Sequence, residues 1–125
     1  MPKKIHVTGA NGYIGSLLVN YLQADGHFVD LAKYRIPKIS ANSIDADIVI
    51  HLAMAGGDTI HKPRAGNNDL GYMKKVYIDG IKALLDGLKR KTTKIIFLSS
   101  TAVYGKFDDS PFVKEKSDLL PISDY

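Results

Sequence analysis

The sequence predicts an α/β fold, a parallel β-sheet doubly wound with helices on its two faces. Three observations predict it. Short β-branched runs alternate with longer stretches of helical periodicity; the run "ADIVIHLA" is apolar almost throughout, as strands are when both sheet faces are covered; and a glycine-rich turn joins the first run to the first helical stretch. Such alternation implies βαβ units with right-handed crossovers, and ligands bind beyond the carboxyl ends of their strands.

The elements follow in order. "KKIHVTG" is a buried strand ending in glycine. "YIGSLLVNYLQADG" places Ile14, Leu17, Leu18, Tyr21 and Leu22 on one helical stripe, closed by Gly26. "HFVDLAKY" reads as the second strand and "ADIVIHLA" as the third. The polar stretch "MAGGDTIHKPRAGNNDLG" is a loop long enough to carry function. "YMKKVYIDGIKALLDGLKRK" then reads as a helix with Tyr77, Ile81, Leu84, Leu85 and Leu88 on one face, and its basic end suits the negative pole of the helix dipole. "KIIFLSS" is expected to be another buried strand, giving about four to five strands in all. From Val103 onward a polar loop with Pro111 and Pro121 runs on without a helix.

Composition narrows the class. With 125 residues, 45% hydrophobic and 24% charged, the chain is one globular domain. The absence of cysteine excludes a disulfide framework or thiolate metal site and suits a reducing cytoplasm, the expected location. "MPKKIHVTGANG" lacks the apolar run of a secretory leader, and no stretch reaches the roughly 20 apolar residues of a membrane span. The net charge of +4 is scattered through "PKK", "HKPR", "MKK" and "KRKTTK". Without aromatic interleaving or a reader motif it points to a solvated surface suited to small anions, with no nucleic-acid or membrane partner. His6, His27, His51 and His61 show no metal-ligand spacing, and the first three are expected to be packed or hydrogen-bonded.

The chemistry concentrates at the strand ends. In "TGANGYIG", Gly9, Gly12 and Gly15 lie directly between strand and helix. Glycines let the turn tighten and let amides approach a pyrophosphate, which the helix N-terminus stabilises; Asn11, Tyr13 and Ile14 complete this Rossmann-type contact. Sites that prefer NAD usually offer an acid about 20 residues on, for the ribose hydroxyls. The nearest fit here is Lys33, with Arg35 close by, whereas Asp30 comes earlier and by alternation faces elsewhere. A cation attracts a 2′-phosphate, so NADP is favoured over NAD. Leu52 and Ala53 end the third strand, and with Ala55, Gly56 and Gly57 they permit close passage of a cofactor. "FLSSTAVYG" presents the hydroxyls of Ser99 and Ser100, suited to hydrogen bonding rather than to nucleophilic attack.

Taken together, "TGANGYIG", "VIHLA" and "SSTAVYG" resemble the extended short-chain dehydrogenase/reductases. More narrowly they resemble the NAD(P)-dependent nucleotide-sugar epimerase/dehydratase group, which includes UDP-galactose 4-epimerase-like enzymes. The resemblance implies hydride transfer at a sugar carbon, with a nucleotide sugar as substrate of the complete enzyme. It makes Ser100, three residues before Val103, the group that holds the substrate hydroxyl. It makes Tyr125, approached through "LPISDY", the catalytic tyrosine of a Y-x-x-x-K motif whose lysine lies beyond the last residue. A phenol titrates near pH ~10 and needs a neighbouring cation to act as a base near neutrality. Residues 1–125 are therefore expected to be the NAD(P)-binding domain, truncated at the catalytic tyrosine, lacking the substrate-binding part and inactive alone. Two departures accompany the resemblance. Tyr77 stands where the family has asparagine, and "RIPKISANSID" replaces a further strand and helix. Two other readings stay open: a dinucleotide-binding module without chemistry, and an inactive chain whose exposed strand edge favours a homo-oligomer.

Overall fold

The computed structural model describes residues 1–34, 38–41, 43–54, 74–105 and 113–122. Four strands form one parallel sheet: β1 (Lys4–Thr8), β2 (Phe28–Leu31), β3 (Ile48–His51) and β4 (Lys94–Phe97). Their order is β2-β1-β3-β4. The chain thus moves outward from β1 to β2, then crosses back to lay β3 on the other side of β1. That reversal is the switch point at which open α/β sheets leave a crevice. The register pairs Ile5 with Val29 and Ile48, and Val49 with Ile95.

Strand periodicity sends alternate side chains to opposite faces, and each face has its own core. Ile5, Val7 and Ile50 meet Val19, Leu18 and Leu22 of helix α1 (Tyr13–Ala24). Val49 packs on the other face with Ile44, Ala46 and Leu84, the last from helix α2 (Gly80–Gly87). A five-residue π-helical turn, Lys75–Asp79, feeds directly into α2. A single bridge, Ile44 to Leu88, ties the approach to β3 to the end of α2. No strand or helix lies between β2 and β3 among the described residues, in keeping with the short "RIPKISANSID" stretch.

The structure corrects three expectations. The packed stripe of α1 is Gly15, Leu18, Val19 and Leu22, whereas Ile14, Leu17 and Tyr21 are exposed. The periodicity was the right one, but the side was set by Gly15, whose missing side chain lets the helix seat against the turn. On α2, Leu85 likewise points outward, and Gly87 is buried in its stead. Strand β4 is exposed along its whole length, not buried, with Ile96 and Phe97 each 52% accessible. Its apolar run matches that of β3, but among the described residues it pairs on one side only and no helix packs on it. After β4, a 3-10 turn (Thr101–Tyr104) leads into residues without regular structure.

Candidate functional site

The crevice at the switch point is built from backbone. Gly9 has φ +69, and a Cβ there would stand 2.7 Å from both the Leu52 carbonyl carbon and the Ala53 nitrogen. The glycine therefore lets the end of β1 run against the end of β3 at a distance no side chain allows. A Cβ on Gly15 would collide with the Gly9 carbonyl oxygen, so α1 is drawn hard onto the same turn. Within the turn the Gly12 N–H donates to the Gly9 carbonyl at 3.0 Å, and the Ser16 N–H donates to the Gly12 carbonyl at 3.0 Å. The amides of Tyr13, Ile14 and Gly15 precede that first intrahelical bond. No side chain caps them, and the first turn holds no acid. Helix termini in this state present donors to an anion.

Short polar side chains lock the strand ends together. Thr8 is buried; its Oγ1 accepts the Ala53 N–H at 3.3 Å and lies 2.8 Å from Nδ1 of His51. The Thr8 hydroxyl thus serves both the Ala53 amide and the His51 ring, the direction of the second bond following the imidazole tautomer. The buried imidazole stacks on Phe97, centroids 5.6 Å apart, and burial pushes its pKa below the ordinary value. A second set lies one strand over. His6, also buried, places Nδ1 2.7 Å from Asp30 Oδ2 and Nε2 2.7 Å from the Tyr34 hydroxyl. Burial, reinforced by the Asp30 charge, pushes the Tyr34 pKa up to about 12. A carboxylate only accepts, so Nδ1–H donates to Asp30, and in that tautomer of the neutral ring Nε2 accepts from the Tyr34 hydroxyl. His27 accepts the Lys3 N–H at Nδ1 and pairs through Nε2 with Asp25 at 3.2 Å.

These contacts decide which groups face the crevice. Asp30 lies opposite His6 in the β1–β2 register, and its Oδ2 accepts from the imidazole. Lys33, just beyond β2, is exposed and forms no ion pair among the described residues. Asn11 and Gly12 are exposed in the turn, as are Tyr13 and Ile14 at the head of α1; Leu52 and Ala53 are half-buried beneath Gly9. At the end of β4, Ser100 caps the 3-10 turn, its Oγ accepting the Ala102 N–H at 3.2 Å. Ser99 and Ser100 share a cavity of about 180 Å³ with Met54, Tyr77, Phe97 and Val103. The carbonyl of Leu120 lies against Gly105, returning the 113–122 segment to the end of this turn. Arg35, Ala55, Gly56, Gly57, His61 and Tyr125 lie outside the described residues.

His6, His27 and His51 are hydrogen-bonded, as their surroundings in sequence led one to expect, but the partners in the two imidazole networks were not foreseen. The signal for the first was present, since Thr8 and His51 occupy the same register position on paired strands. No group of three metal-binding side chains occurs among the described residues, and no helix there is long and apolar enough to cross a membrane.

Strand order, parallel pairing and a glycine turn at the switch point define a Rossmann-like α/β fold. The chain belongs to the NAD dependent epimerase/dehydratase family, whose sequence model matches residues 5–125. Among solved structures it is similar to a short-chain dehydrogenase/reductase superfamily protein from Agrobacterium tumefaciens with bound NAD, at a TM-score of 0.76 and 24% identity over 98% of this chain and 40% of that one. It is similar to RMD from Pseudomonas aeruginosa complexed with NADPH, at 0.71 and 24% over 97% of this chain and 42% of that one. A UDP-N-acetylglucosamine 4-epimerase from Methanobrevibacter ruminantium M1, in complex with UDP-N-acetylmuramic acid, matches at 0.70 and 26% over 99% of this chain and 46% of that one. The chain thus spans less than half the length of each of these proteins. No curated protein matches it significantly.

Proposed function

We propose that this chain is the dinucleotide-binding portion of a nucleotide-sugar epimerase/dehydratase-type oxidoreductase, and that its cofactor is NADP. One observation carries the reading. Gly9 is pressed closely on the backbone of Leu52 and Ala53, Gly15 is pressed on Gly9 and Ala10, and the turn they form opens a helix with uncapped amides. That cradle fits a pyrophosphate, held by the amides of Tyr13, Ile14 and Gly15, with Gly12 allowing its close approach and Asn11 beside them. Lys33, assisted by Arg35, takes the 2′-phosphate, since Asp30 is committed to His6. When bound, the nicotinamide supplies the hydride acceptor and donor.

The remaining roles belong to the chain's own residues. Ser100 has its oxygen fixed by the Ala102 amide and keeps its O–H to orient a substrate oxygen beside the Met54 and Tyr77 cavity. Tyr125 exchanges the hydroxyl proton in the complete enzyme, where a lysine four residues on lowers its pKa. The second reading, a dinucleotide-binding module without chemistry, is favoured by Tyr77, which lines the Ser100 cavity where the family carries asparagine.

Titration of the protein with NADPH and with NADH, followed by nicotinamide fluorescence, tests the proposal. NADPH is expected to bind roughly tenfold tighter, and Lys33→Glu to abolish that preference. No response to either cofactor at about 1 mM overturns it.

A further inference from the structure

We propose that the amino-terminal end of the sheet carries a second site, for a small polyphosphate-type anion, separate from the dinucleotide crevice. A cavity of about 240 Å³ lies there, walled by Lys3, Asp47, Arg90, Thr92, Thr93 and Lys94 among others. Three stretches of sequence meet at it: the entry to β1, the entry to β3, and the turn that carries α2 into β4. Its wall holds three cations against one carboxylate. Lys4, Lys89 and Lys91 flank these residues in sequence, and Asp45 opposes them.

The carboxylates are already satisfied. Asp45 pairs with Lys4 Nζ at 3.2 Å and Arg90 Nε at 3.0 Å. Asp47 accepts from Arg90 Nη1 at 3.0 Å and from the Lys4 N–H at 2.8 Å. Hydrogen bonds from Lys4, with the charges of Arg90 and its neighbours, hold both carboxyls below the usual carboxylate range. The ammonium groups of Lys3 and Lys94 make no ion pair or hydrogen bond among the described residues. Nor are the cations needed to cap α2. Backbone closes the end of that helix: the Ile44 N–H donates to the Gly87 carbonyl at 2.8 Å, and the Leu88 N–H to the Leu85 carbonyl at 3.2 Å. The positive surplus therefore has no partner inside the described protein.

The chemistry of the surplus selects the ligand. A guanidinium with a free amino edge, two ammonium groups and the Thr92 hydroxyl match the several oxygens of a phosphate chain. The Thr93 hydroxyl donates to the Ala46 carbonyl at 2.7 Å and so fixes the turn that presents them. A small anion is favoured over a nucleic-acid strand because the charges converge on a concavity, Asp47 sits in its wall, and no aromatic ring lines it for stacking.

The probe is inorganic pyrophosphate, titrated into the ¹⁵N-labelled protein at low salt and followed amide by amide. Saturable shifts at Lys3, Arg90, Thr92, Thr93 and Lys94 are expected. Lys3→Glu and Lys94→Glu should each weaken binding about tenfold while leaving the remaining spectrum in place. Two exposed positions are used so that a folding failure in one leaves the other to decide. Shifts confined to residues 9–16 would assign the anion to the other end of the sheet and overturn the proposal. Shifts that never saturate and spread over all lysines would overturn it equally.

Discussion

At the carboxyl ends of β1 and β3 the chain is held by backbone and short polar groups, and at the amino ends of the same strands it is held by ions. The first region joins Gly9 to Leu52 and Ala53 by contact, and Thr8 to His51 and Ala53 by hydrogen bonds. The second joins Lys4, Asp45, Asp47 and Arg90 through exposed charged side chains. The difference follows from what each end must leave open. Long ionic side chains at the crevice would occupy the space and the donors that a pyrophosphate requires. Ion pairs at the far end hold the strands in place without that constraint, but water and salt weaken them.

Breaking the crevice should cost most. Gly9→Ala adds a Cβ 2.7 Å from fixed backbone at a positive φ, so nothing flexible can yield. A loss of about 3 kcal/mol or more is expected in urea unfolding, from strain and overlap together. Dinucleotide binding should fall with it. A variant of wild-type stability would show that the two strand ends do not meet as described.

Much of this region was legible in the sequence, for a physical reason. Glycine at a tight approach leaves no choice of residue, so the "TGANGYIG" spacing reported the turn, the helix start and the neighbouring strand together. The partner of Asp30 was not legible: alternation places it at the His6 register position, but only the structure shows the bond between them. The side of α1 was not legible: Ile14, Leu17 and Tyr21 satisfy the helical period as well as Leu18, Val19 and Leu22 do, and only the seat of Gly15 chooses between them. The exposure of β4 was hidden for a related reason. "KIIF" has the composition of a covered strand, and composition reports what a segment is suited to bury against rather than what lies beside it.

The His6 network gives an intermediate case, half-buried, and the pH dependence of its tyrosine separates it from both ends. Tyr34→Phe leaves the buried Nε2 without its donor, at a cost of about 1–2 kcal/mol near pH 8. An unfolded tyrosine loses its proton near pH ~10, whereas folded Tyr34 keeps it to about 12. The folded state therefore binds the proton more tightly, and this contribution is complete below pH ~10 and lost as pH rises toward 12. Partial solvent exposure reduces it to about 1 kcal/mol. The gap between wild type and variant should narrow over that window in denaturant unfolding, and a constant gap would remove the titration from the account.

The ionic end should respond least, and in the opposite direction of pH. Asp47→Asn keeps an acceptor for the Lys4 N–H but removes the charge facing Arg90 and, with it, the oxygen that accepts from Arg90 Nη1. Because the Asp47 carboxyl is held below the ordinary range in the folded protein, its contribution is present above pH ~4 and is lost as pH falls through the lower folded value. The variant should thus match wild type in strong acid and fall slightly behind it near neutrality, by less than Tyr34→Phe does. Molar salt should erase even that deficit, since the Debye length falls to roughly 3 Å at 1 M, while leaving the cost of Gly9→Ala untouched. A salt-resistant deficit at Asp47 would mean that this end, like the other, is held by directed hydrogen bonds rather than by charge.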